Sequence, residues 1–129
     1  MNKRKIQLVF PDLSYKIVGI LFSAFNGLGY GYQEKYYQKV VAKLLKENNI
    51  KFQEQVYAPL EFHGEKIGGY YLDFLIENKV ILEIKKGDRF TKNNIEQVYS
   101  YLKKFNSKLG IIANFTRKGL KFKRIVNIR

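Results

Sequence analysis

The chain contains no cysteine and no tryptophan, and only one histidine, His63, in 129 residues. Without thiols, disulfide frameworks, thiolate zinc sites, iron–sulfur clusters and cysteine nucleophiles are excluded. A single histidine argues against a histidine metal cage or a Ser/His/Asp triad. Acidic residues are scarce, with 11 Asp+Glu against 24 Lys+Arg and a formal charge of +13. The N-terminal apolar run, Ile17 to Phe25, has nine residues, far short of the ~20 that a membrane span needs. It follows the basic segment Met1–Lys5 and loosely imitates a signal peptide, but Pro11, Asp12 and Lys16 intervene. A cytoplasmic protein without membrane contact is the expectation. No repeat, low-complexity tract or linker breaks the sequence, so residues 1–129 read as one domain.

What remains for chemistry is carboxylates, lysines, hydroxyls and oxygen-seeking metals. The charge favours a polyanionic partner, and nucleic acid suits it best. It is also segregated. Glu96 is the last acidic residue, and the 33 positions after it hold nine cations: Lys103, Lys104, Lys108, Arg117, Lys118, Lys121, Lys123, Arg124 and Arg129. Against this stands a compositional explanation, since 19 of the 24 cations are Lys in a chain also rich in Asn, Ile, Tyr and Phe.

Hydrophobic periodicity predicts eight elements. A helix spans Leu13 to Leu28, broken by Gly27-Leu28-Gly29-Tyr30-Gly31, and a second runs to about Asn48 with Tyr37, Val40/Val41 and Leu44/Leu45 as its apolar stripe. Phe52 to Phe62 alternates as a strand, with Phe52, Val56, Ala58, Leu60 and Phe62 expected inward. His63-Gly64-Glu65-Lys66 reads as a turn, and Ile67–Ile76 and Lys79–Lys86 as strands joined tightly around Asn78. Thr91 is expected to cap a helix with Ile95, Val98, Leu102 and Phe105 on its core face. Leu109–Phe115 and the basic Leu120–Ile128 complete the order α-α-β-β-β-α-β-β. That order predicts an α/β or α+β domain, a mixed central sheet flanked by helices.

The run Val80-Ile81-Leu82-Glu83-Ile84-Lys85 places two charges in a core strand, where an unpaired ion is costly. Glu83 and Lys85 share one face, and Val80, Leu82 and Ile84 the other. Asp73 sits among apolar residues of the preceding strand. A three-residue loop, Glu77-Asn78-Lys79, sets Asp73 opposite Glu83, whereas a two-residue loop would put them on opposite faces. Asn78 tolerates the left-handed conformation of the longer loop, which is therefore expected. Two adjacent carboxylates repel unless a cation lies between them, and oxygen donors select Mg²⁺ or Mn²⁺. The bland alternative is a surface ladder of Glu83 and Lys85 with Asp73 at a strand end. Glu34 opens the second helix on the side of Tyr37, Val41 and Leu45; it either complements the helix dipole or points at the same metal. Gln97 and Tyr101 form a polar stripe, which on the bland reading is solvated.

Asp73…Glu83-Ile84-Lys85, preceded by a helical acid and followed by Gln-x-x-x-Tyr, resembles the PD-(D/E)XK nuclease signature. Gly31-Tyr32-Gln33-Glu34-Lys35-Tyr36-Tyr37 resembles the name motif of the GxxExxY proteins of that superfamily. Ile17-Val18-Gly19, Phe62-His63-Gly64-Glu65-Lys66-Ile67-Gly68 and Lys79–Lys85 are also similar to that group. The similarity runs from about Leu13 to Val126. Two positions depart from the pattern: Leu72 replaces the Pro before Asp73, and Tyr71 stands where a basic residue is expected.

The resemblance implies a restriction-endonuclease-like fold and a Mg²⁺-dependent nuclease, with Mn²⁺ substituting and DNA the expected substrate ahead of RNA. It implies metal ligation by Asp73, Glu83 and the backbone carbonyl of Ile84, with Glu34 acting through water. Lys85 would position the nucleophile or stabilise the transition state, and Gln97 and Tyr101 would contact the phosphate or hold the substrate strand. The basic C-terminal third would bind the nucleic-acid backbone. Specificity would come from dimerisation or a partner protein. The competing readings are a non-catalytic nucleic-acid-binding module that retains the fold and an accessory subunit docking on an acidic protein.

Overall fold

The computed structural model describes residues 9–127; Met1–Lys5, Ile128 and Arg129 lie outside the described residues. The elements are α1 (Pro11–Leu28), α2 (Glu34–Glu47), β1 (Phe52–Phe62), β2 (Glu65–Ile76), β3 (Val80–Lys86), α3 (Lys92–Lys104), β4 (Leu109–Thr116) and β5 (Gly119–Val126), in the expected order. Pro11 starts α1 two residues earlier than periodicity indicates, because its fixed φ suits the first helical position. The run Ile17–Phe25 forms part of this helix and buries Ile17, Ile20, Leu21 and Ala24. Among the described residues, no helix is long and apolar enough to cross a membrane. Thr91 caps α3 as expected, its Oγ1 accepting from the N–H of Asn94 at 3.0 Å.

The strands form one mixed sheet in the order β1-β2-β3-β4-β5. Only β3 and β4 pair in parallel, and α3 supplies the crossover that a parallel step requires. Helices α1 and α2 pack on Val80, Leu82, Ile84, Ile111, Ala113 and Phe115. Helix α3 covers Ile81, Ile112 and Ile125 from the other side. With both faces covered, β3 and β4 are nearly uniformly apolar, and their polar residues stand out.

Ile76 pairs with Val80, so Glu77-Asn78-Lys79 is the three-residue loop expected. Both Glu77 and Asn78 adopt left-handed conformations, and the Lys79 N–H donates to the Ile76 carbonyl. The odd loop length puts Asp73 opposite Glu83.

Two expectations for the β1–β2 ribbon are corrected. The turn is only His63-Gly64, both at positive φ, and Glu65 and Lys66 already belong to β2; such two-residue loops match the twist of a hairpin. Nor do the five alternating β1 residues share one buried face. Gln55 is left-handed at φ 52, and it reverses the strand: Phe52 joins the α1–α2 core, whereas Val56 and Ala58 join the α3 core. Past Ala58 the ribbon outruns the helices, leaving Leu60 and Phe62 exposed. The facing strand shows the matching reversal, with Leu72 in the α3 core and Phe74 in the α1–α2 core. Asp73 lies at that reversal.

Candidate active site

The β2–β3 ladder ends at the pair Phe74–Leu82. Beyond it, each strand's carboxylate satisfies an amide of the other. The Asp73 N–H donates to Glu83 Oε2 at 2.9 Å, and the Ile84 N–H donates to Asp73 Oδ2 at 2.8 Å. Backbone donors left over at the end of a ladder require partners, and here two acids supply them reciprocally. One oxygen of each carboxylate takes no part in this exchange.

Glu83 is only 4% exposed. Burial first, and then the charge of Asp73, push its carboxyl up to about 7, against the opposing pull of the Asp73 N–H and Lys85. Burial likewise raises Asp73, with a smaller upward contribution from Glu34. Both carboxyls are thus held in a setting that penalises their ionised forms, which a cation between them would relieve.

Lys85 shares the Glu83 face, its Nζ 3.9 Å from Glu83 Oε1. Glu34, the first residue of α2, accepts the N–H of Lys86 at 2.9 Å through Oε2. Its charge raises both Asp73 and Glu83. A helix terminus and a strand terminus are thereby tied beside the acid pair. Among the described residues, no three His, Asp or Glu side chains converge closely enough to hold a metal alone. The two adjacent carboxylates still fit a hard divalent cation that keeps several waters.

Tyr101 is not on a solvated face. It is buried, with its ring centroid 5.4 Å from that of Tyr70. Its hydroxyl pKa is raised by burial and then by Glu83, Tyr70 and Asp73, so Tyr101 reaches the field of the acid pair. Gln97, one turn earlier, is half-buried.

Asn114 was not singled out by sequence reasoning. It lies opposite Lys85 on β4 and is buried. Its Nδ2 donates to the carbonyls of Arg89 at 3.0 Å and Gly87 at 3.4 Å, holding the loop that follows β3, while its Oδ1 has no partner. A lone amide within the apolar run Leu109–Phe115 is the same signal that identified Glu83.

Of the nine C-terminal cations, the eight among the described residues do not gather on one surface. Lys103, Lys104 and Lys108 lie around the end of α3 and the start of β4, at the opposite end of the sheet from Lys86. Arg117, Lys118 and Lys121 line a cavity of about 320 Å³ with Asp88 and Thr116, where Arg117 pairs with Asp88 at 3.3 Å. Lys121 and Lys123 pair across β4 from Asn114 and Ile112, in line with Lys85 and Glu83. Arg124, opposite Ile111, projects to the other face.

The family model of the PD-(D/E)XK nuclease superfamily matches residues 11–125. No curated protein sequence matches the chain. Among solved structures, the chain is similar to the crystal structure of SSO0001, with TM-score 0.56 and 20% identity over 74% of this chain and 51% of that one. It therefore spans about half the length of SSO0001. It is also similar to an alkaline exonuclease (LHK-Exo) from Laribacter hongkongensis, with TM-score 0.54 and 11% identity over 95% of this chain and 73% of that one. At these identities the likeness shows the fold alone, which is restriction-endonuclease-like.

Proposed function

The chain belongs to the PD-(D/E)XK nuclease superfamily, and from that premise we propose that it is a divalent-metal-dependent nuclease of the GxxExxY group, hydrolysing phosphodiester bonds of DNA with Mg²⁺ or Mn²⁺. The observation that carries this reading is the reciprocal bonding of Asp73 and Glu83, which holds a half-buried and a buried carboxylate side by side with Lys85 adjacent. Superfamily members generally use divalent ions. The oxygen donors here fit one, held by Asp73, Glu83 and the main-chain carbonyl of Ile84, with Glu34 reaching it through water. When bound, the ion supplies charge neutralisation at the scissile phosphate and acidifies a coordinated water.

The chain's own residues do the rest. The two hydrogen bonds from main-chain N–H groups fix the carboxylate rotamers before substrate arrives, which reduces the reorganisation needed during reaction. The Lys85 ammonium, oriented by Glu83, is placed to meet negative charge developing on the phosphate. Tyr101 offers a hydroxyl that burial keeps protonated, and with Gln97 it would donate to a phosphate oxygen. Lys121 and Lys123 extend the same face with positive charge for the strand beyond. Specificity would come from a second copy or a partner protein.

The test is to compare wild type with Glu83→Ala and Lys85→Met on one DNA substrate. Glu83→Ala is expected to abolish cleavage while retaining binding, because a repulsive carboxylate leaves the phosphate site. Lys85→Met is expected to lower kcat far more than metal affinity. Wild-type cleavage by Glu83→Ala would refute the site assignment. A Lys85→Met protein that fails to fold would make that residue a structural ion-pair partner instead.

A further inference from the structure

The motif residues Gly31, Glu34 and Tyr37 build something besides the acid site. Tyr37 is fully buried, its ring stacked on Phe115 with centroids 4.1 Å apart. Its hydroxyl donates to the Gly29 carbonyl at 2.5 Å and accepts the Tyr32 N–H at 3.4 Å. The loop between α1 and α2 is thereby pinned from beneath. Gly29 and Gly31 take positive φ values of 82° and 115°, a conformation that favours glycine. The consequence is outward display of tyrosines: Tyr30, Tyr32 and Tyr36 are 39%, 45% and 44% exposed. Tyr32 and Tyr36 line an apolar groove of about 400 Å³ with Leu28, Lys39 and Val40.

Exposed aromatics clustered around an apolar groove mark an interaction surface, and the charge around these narrows the partner. Lys35 Nζ lies 5.3 Å from the centre of the Tyr36 ring, and Lys86 Nζ lies 5.5 Å from that of Tyr30. Lys86 is also the residue whose N–H Glu34 accepts, so the display adjoins the acid site. The ribbon tip also exposes apolar residues, Leu60, Phe62 and Ile67, but there the one nearby cation, Lys66, is interleaved with Glu61 and Glu65.

We propose that the groove at the first turn of α2 receives unpaired bases, which stack on Tyr32 and Tyr36 while Lys35, Lys39 and Lys86 meet the phosphates, so that the substrate is a single strand or a frayed end. Aromatic faces accept any base, which makes such a surface sequence-tolerant. The inference rests on the nuclease reading for the class of ligand, but its test needs no turnover.

Binding is measured by fluorescence anisotropy in chelator, using a short labelled oligothymidylate and an abasic oligonucleotide of equal length and charge. Wild type should bind the thymidylate about tenfold more tightly than the abasic strand. The double variant Tyr32→Ala/Tyr36→Ala should lose that preference, Tyr32→Phe/Tyr36→Phe should keep it, and Lys39→Ala should weaken both ligands equally. Equal wild-type affinity for the two strands would overturn the proposal, as would an unchanged preference in the double alanine variant with its fold intact by circular dichroism. A base preference in a protein that cuts nothing would sink the nuclease reading and leave this one standing. Cleavage without a base preference would do the reverse.

Discussion

Replacing Glu83 by Gln should change how stability depends on pH, in a direction that follows from the burial of the acid pair. The Glu83 carboxyl is raised from 4.5 to about 7 by desolvation and by Asp73. Between those values the folded protein binds more protons than the unfolded chain, so stability falls as pH rises through this window. At 1.36 kcal/mol per unit, the full decline is about 3 kcal/mol. Glutamine keeps an oxygen for the Asp73 N–H and cannot ionise. For a chain of this length about 3 kcal/mol corresponds to on the order of 10 °C in Tm. Melts in chelator from pH 5 to pH 8 should therefore show wild type losing roughly that much relative to Glu83→Gln, with the two similar at the acid end. Adding Mg²⁺ at pH 8 should restore wild type and leave the variant unmoved, because ligand binding to the native state alone stabilises it. Parallel pH profiles for the two proteins would refute the reasoning, since they would mean that Glu83 carries no strained charge.

Other expectations follow from packing and charge. In Gly110→Ala the new Cβ would lie 2.7 Å from Val98 Cγ1, so a denaturant melt should show a loss of about 1–3 kcal/mol as α3 is pushed off β4. Tyr37→Phe keeps the ring but removes the link between Gly29 and Tyr32. It should cost about 1 kcal/mol in the same assay and weaken the preference for bases over abasic strand. Nucleic-acid affinity should fall linearly with salt on logarithmic axes, and Lys121→Ala should reduce that slope whereas Lys103→Ala should not.

Most of the architecture was legible because its signals are local. The 3.6-residue stripes of α1 and α2, the cap at Thr91 and the uniformly apolar β4 each report their own element. The acid pair was legible for a further reason: a charge in a core strand is conspicuous, and loop parity fixes which residue faces it. The ribbon was not. The left-handed Gln55 reverses the inside and outside of β1 with no cue in residue type, and Leu60 and Phe62 are as apolar as core residues although nothing covers them. For Tyr101 the choice between a site residue and a solvated stripe stayed open, because its neighbour Tyr70 comes from a strand distant in sequence. The C-terminal cations follow the last acidic residue in sequence, yet α3, β4 and β5 distribute the eight described ones to both ends and both faces of the sheet. Charge segregation along a chain is not segregation in space.

The central claim is that Asp73 and Glu83 hold a metal that cuts nucleic acid. Its most direct test is turnover by the wild-type protein on supercoiled, linear, single-stranded and branched DNA and on RNA, each with Mg²⁺, with Mn²⁺ and with chelator, beside identically purified Glu83→Ala. The account predicts cutting of DNA that requires the metal and disappears in the variant. Tight, salt-sensitive binding with no cutting under any metal would contradict it and make this fold a binding module.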